Sequence, residues 1–114
     1  ELARDPEVTA VFVANDDMAI GVLRALQESG LHVPRDVSLV GFDDIPPAAY
    51  LSPALTTVRR DNTMLATVGL QRLVRFLENP EASPVLLPAP MHQLMLREST
   101  GRRRGARQRG AAMT

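Results

Sequence analysis

Residues Val37 to Asp44, Val-Ser-Leu-Val-Gly-Phe-Asp-Asp, form a short apolar run that stops on two carboxylates. About four to six mostly apolar residues ended by acid describe a buried strand that delivers polar side chains at its carboxyl end. In an open α/β sheet ligands bind along that edge, where helix amino termini and loop side chains converge. The run therefore fixes both a fold class and a place to look for function.

The preceding residues build the other half of the unit. Ala10 to Ala14 is continuously apolar, the pattern of a strand buried on both faces. It ends on Asn15 and Asp16, residue types whose side-chain oxygens cap helices by accepting from first-turn amides. Met18, Ala19, Val22, Leu23 and Leu26 then recur at helical spacing. Gly30 fits the left-handed C′ position and Leu31 the C″ position of a Schellman stop, and Pro34 prevents continuation. Residues 10–42 thus read as strand, helix, strand, of the usual length of about 30 residues, parallel and right-handed by default. Both strands then end on one edge, which brings Asn15 and Asp16 beside Asp43 and Asp44.

Further along, Pro46 and Pro47 open a short helix through Tyr50, and Leu55 to Val58 is a third strand followed by the polar cluster Arg59, Arg60, Asp61 and Asn62. A second helix is predicted from about Thr63 to Leu77, ended by Asn79 and Pro80. Its apolar positions wrap much of its circumference, so it requires cover on more than one side. Val85–Leu87 and Gln93–Leu96 read as two last strands, and the Gly- and Arg-rich residues 101–114 as disordered.

Charge and residue usage exclude several functions. All thirteen bases are Arg, and five of them, Arg102, Arg103, Arg104, Arg107 and Arg109, follow Gly101. Residues 1–100 carry eight Arg against thirteen acids, a net charge of about −5, which is no footprint for a nucleic-acid-binding face. The basic tail could touch phosphates non-specifically, but such short ends are most often simply solvated. Without Lys there is no Schiff-base chemistry, P-loop lysine or receiver-domain lysine within these residues, and without Cys no disulfide or thiolate metal site. His32 and His92 lack ligand-spaced partners and read as surface residues. No apolar run approaches the ~18 residues of a membrane span.

Adjacent side chains on an extended strand face opposite ways, which argues against Asp43 and Asp44 acting as a catalytic dyad. One carboxylate at a strand end can accept two hydroxyl hydrogens from a polyol. Asn15 adds a donor and an acceptor, and Arg60 up to five donors. Strand-end Asp and Asn also occur simply as caps of helices and turns, and both readings stand open at this point.

The blocks Ala14–Gly21, Val33–Ile45, Leu55–Arg59 and Arg97–Ser99, in this order, closely resemble the carboxyl-terminal part of the effector-binding region of LacI/GalR-type bacterial transcriptional regulators. The resemblance covers roughly residues 8–100. It implies an α/β, periplasmic-binding-protein-like fold, a parallel sheet flanked by helices. One lobe, residues 1–58 and 91–100, would be largely present and residues 59–90 would be a fragment of the other. It implies that Asn15 and Asp43 contact a small effector, with Asp44 a second-rank candidate and Asp16 a helix cap. Arg60 and Asn62 stand where many members have Gln and an aromatic or other residue. Arg60 would favour a carboxylate, phosphate or hydroxyl-rich effector, or would pair with Asp61 instead. The resemblance further implies a homodimer through Ile20, Val22, Leu23, Arg24, Tyr50 and Leu51, although core packing explains the apolar helix positions equally well. It implies no cofactor and no enzyme, a cytoplasmic setting, and operator binding through a helix-turn-helix headpiece that precedes Glu1 in the whole protein. A sugar-binding solute receptor of a transport system is the alternative with the same fold.

Overall fold

The structure is a computed structural model and describes Asp5, residues 7–81 and residues 92–103. In order, the elements are β1 (Ala10–Phe12), α1 (Asp16–Glu28), β2 (Ser38–Val40), a 3-10 helix (Pro46–Tyr50), β3 (Thr57–Arg60), α2 (Asn62–Glu78) and β4 (His92–Met95). The strand expected at Val85–Leu87 and most of the Arg-rich tail lie outside the described residues. Two compact units emerge, Glu1–Arg59 with Leu94–Thr114, and Arg60–Gln93.

In the first unit β1 and β2 pair in parallel, with Val11 opposite Leu39 and Phe12 opposite Val40. The ladder continues past both strands: Val13 N–H donates to Val40 O at 2.8 Å and Asp16 N–H to Phe42 O at 2.9 Å. On the other side of β2 the chain from Thr56 also runs parallel, through bridges Val40–Thr56 and Asp43–Arg59. β3 pairs in turn with β4. The strand, helix, strand unit read from the sequence is therefore present, with its carboxyl edge where it was expected.

Helix α1 forms because Ala19, Leu23 and Leu26 fall on one stripe that the sheet buries. With Val13, Leu39, Ala48 and Leu55, Ala19 and Leu23 make the core. Each fully buried Leu contributes about 2 kcal/mol by removal of its surface from water. Asn15 is the cap, its Oδ1 accepting from Met18 N–H at 2.8 Å. At the far end Gly30 has φ 77°, Gly30 N–H donates to Gln27 O and Leu31 N–H to Leu26 O, both at 3.0 Å. That is the Schellman pattern predicted from Gly30 and Leu31.

The turn into β2 is held by Asp36. Its carboxylate accepts from His32 N–H at 2.9 Å and from Arg35 Nη2 at 3.1 Å. The Arg35 hydrogen bond dominates, and despite partial burial the Asp36 carboxyl falls to about 2. A second tie comes from Ser99, buried between strands: its hydroxyl donates to Leu39 O at 2.6 Å and accepts from Thr56 N–H at 2.8 Å.

One expectation about β1 is corrected. Val11 and Val13 turn toward the core, whereas Phe12 alternates to the other face and is 65% exposed, so β1 is not covered on both faces by the described residues.

In the second unit α2 is capped by Asp61, whose Oδ1 accepts from Met64 N–H at 2.8 Å, and it ends at Asn79. None of its residues is buried, and Leu70, Leu73, Phe76 and Leu77 all stand more than half exposed.

Candidate functional site

The two carboxylates that end the β2 run are held in different ways. Asp43 has φ 110° and Asp44 φ 57°, so the chain leaves the strand through two successive left-handed residues instead of extending. The alternation expected of an extended strand does not apply here, because the backbone turns at the first Asp. Such conformations are uncommon for residues bearing a Cβ and persist only where surrounding bonds impose them.

Those bonds are visible. The Asp44 side chain is 4% exposed, and its Oδ1 accepts from Arg97 Nη2 and its Oδ2 from Arg59 Nε, each at 2.6 Å. Burial pushes the Asp44 carboxyl up, but the hydrogen bonds and charges of Arg97 and Arg59 outweigh it and hold the group below its usual range. Arg97 is itself fixed, donating from Nη1 to Leu55 O at 2.8 Å. Asp44 is thus a buried anion with both carboxylate oxygens engaged by arginines.

Asp16 also departs from its expected role. It is fully buried and does not cap α1; its Oδ1 accepts from Thr57 Oγ1 at 2.6 Å and its Oδ2 from Ile45 N–H at 3.0 Å. Gly41 makes room for this carboxylate, since a Cβ there would overlap Asp16 Oδ1 and press on Leu55. Asp44 N–H meets the same Thr57 hydroxyl at 3.3 Å, so Asp16, Thr57 and Asp44 form one chain of bonds beneath the corner.

What remains at the edge is Asn15 and Asp43. Both are half-buried, and the Asp16 N–H to Phe42 O bond joins the two segments that carry them. Asn15 uses its Oδ1 in the cap, which leaves its Nδ2 amide to donate. Asp43 donates its backbone N–H to Val58 O at 2.9 Å. Arg60 closes β3 and Asn62 opens α2, both in the second unit. Asp61, the alternative partner considered for Arg60, engages the α2 cap with its Oδ1.

Sequence reading missed Arg97 and Thr57 as parts of this corner. Arg97 lies in a block of the family resemblance, yet no local pattern marks a bond to a carboxylate 53 residues away. Among the expected interface residues, Leu23 belongs to the core and Val22 and Leu51, partly buried, pack against it. Tyr50 is 86% exposed, and Arg24 is exposed with its Nε bonded to Glu28 at 2.7 Å. Among the described residues no group of three His, Cys, Asp or Glu could hold a metal ion, and no helix is long and apolar enough to cross a membrane.

A family model described as a periplasmic binding protein-like domain matches residues 1–100. The chain belongs to that family. Within it the affiliation is with LacI/GalR-type regulators: the chain is 42% identical over 91 residues to the lactose operon repressor of Rhizobium radiobacter, covering 79% of this chain and 80% of that one. Among solved structures, the Lac repressor dimer bound to operator and the anti-inducer ONPF matches with a TM-score of 0.69 and 39% identity over 81% of this chain and 32% of its own. The transcriptional regulator CelR in complex with cellobiose matches with a TM-score of 0.75 and 38% identity, over 86% of this chain and 30% of its own. Several other curated relatives are covered over only 21% to 24% of their length. The fold of this LacI/GalR-type chain is accordingly the α/β, periplasmic-binding-protein-like one, in part.

Proposed function

We propose that this chain is the ligand-sensing and dimerising region of a LacI-type transcriptional regulator, which binds a small sugar-like effector and through it modulates operator binding. One observation carries the reading: Asn15 and Asp43 share the carboxyl edge of the parallel β1–β2 pair, with an amide donor and a half-buried carboxylate suited to hydroxyl groups. The relatives support it, since those with known roles are regulators, one of them solved with cellobiose and one as a dimer on operator DNA. Their regulatory character also favours this reading over a transport receptor and over an enzyme, and it supports a cytoplasmic setting.

Residues 1–58 and 91–100 are assigned to one lobe and 59–90 to the other. Arg60 and Asn62 are ligand candidates on their sequence positions alone. Ile20, Val22, Arg24, Tyr50 and Leu51 are the interface candidates that the first unit leaves exposed or partly exposed, and they are assigned to a homodimer contact. The effector shifts operator affinity because it binds one conformation of the regulator more tightly than another. Calorimetric titration of the full-length protein with pentoses, hexoses, disaccharides and nucleosides tests the site. A ligand is expected whose affinity collapses in Asp43→Ala; unchanged affinity in that variant removes Asp43 from the site.

A further inference from the structure

Two successive non-glycine residues with positive φ need an external hold, and the β2 corner has one. Its backbone bonds are Asp43 N–H to Val58 O and Asp44 N–H to Thr57 Oγ1, the second long at 3.3 Å. Its side-chain bonds are shorter and charged: the Asp44 carboxylate, itself 4% exposed, takes Arg97 and Arg59 at 2.6 Å each. Charge-assisted hydrogen bonds of this length are about twice as strong as neutral ones. The Arg97 guanidinium is anchored independently of Asp44, donating from Nη1 to Leu55 O, and the Arg59 backbone is set by its bridge to Asp43 in the ladder.

We propose that Asp44 is a positioning residue for the effector site: its ion pairs with Arg97 and Arg59 hold the Asp43–Asp44 corner in the left-handed conformation and so preset the Asp43 carboxylate for its ligand. The inference rests on the reading of Asp43 as an effector ligand and adds to it the residues that make Asp43 competent. Without the clamp the corner relaxes toward the commoner backbone regions, and apparent affinity falls in proportion to the fraction of molecules that keep the competent form.

The test uses the full-length regulator and whichever of ribose, galactose, lactose and cellobiose binds it most tightly, with thermal unfolding measured in parallel so that titrations are run only where each variant is folded. Asp44→Asn and Arg97→Met are expected to weaken binding by about tenfold, equivalent to ~1.4 kcal/mol. Arg97→Lys keeps a cation near Asp44 and is expected to recover most of that loss. Wild-type affinity in Asp44→Asn and Arg97→Met, alongside lost binding in Asp43→Ala, overturns the clamp and spares the site. Wild-type affinity in Asp43→Ala overturns the site reading and the clamp with it. A crystal structure of Asp44→Asn provides a check independent of any sugar: retention of positive φ at Asp43 overturns the clamp, whereas a return to negative φ supports it.

Discussion

A carboxylate removed from water is costly unless donors meet its oxygens, and Asp16 is fully buried with both oxygens engaged, by Thr57 and by Ile45. Asp16→Ala leaves a buried hydroxyl and a buried amide without their acceptor, so a loss of about 3 kcal/mol is expected in chemical denaturation. Gly41 is part of the same arrangement, because a methyl group there takes the space of Asp16 Oδ1. Gly41→Ala alone is expected to cost about 2 kcal/mol. In an Asp16→Ala background most of that cost disappears, leaving the contact with Leu55, and a double-mutant cycle measures the coupling. Additive losses would show that Gly41 serves something other than Asp16. The apolar run before Asp43 was legible in the sequence, as was the acid at its end. The division of labour among Asp16, Asp43 and Asp44 was not, because it depends on a backbone turn and on Thr57 and Arg97, which are near only in space.

At the level of the element, α1 was legible almost end to end, since each of its signals acts within a few residues: Asn15 on Met18, Gly30 on Gln27, Leu31 on Leu26. This locality lets the two roles of Asn15 be separated. Asn15→Asp retains a capping oxygen but replaces the amide donor with a second acceptor, so stability should hold within about 0.5 kcal/mol while effector affinity falls. Asn15→Ala should lose both, with about 1 kcal/mol of stability. Equal effector affinity in wild type and Asn15→Asp would confine Asn15 to capping. The turn between α1 and β2 carries a pH signature. Asp36 falls from 3.8 to about 2, mainly through its bond from Arg35, so the folded state binds its proton less readily than the unfolded chain. Its contribution, of order 1 kcal/mol after solvent screening, is present above the usual carboxylate range and is lost as pH falls from about 4 toward 2. Denaturation of Asp36→Asn against pH should show a shallower decline across that window.

For the whole molecule the informative contrast is between its two units. The first has a core around Leu39 and Leu55, both fully buried. In the second, α2 is apolar around much of its circumference and buries none of its residues. Sequence periodicity already called for cover on more than one side; it could not show how much of the helix is covered, because cover is set by contacts in space and not by spacing along the chain. Contiguous exposed apolar surface on a helix of this kind drives association unless something covers it. The 114 residues expressed alone are therefore expected to self-associate and to bind a hydrophobic dye, and Leu70→Glu or Phe76→Glu should reduce both. This chain spans about a third of the solved regulators that it matches, so the same substitutions separate two origins for that surface. In the full-length protein they should lower thermal stability by several degrees if α2 packs inside a second lobe. If α2 stays on the surface, they should leave stability unchanged while still curing the association of the shorter chain. The lobe assignment predicts the first result, and the second would remove residues 59–90 from any buried lobe.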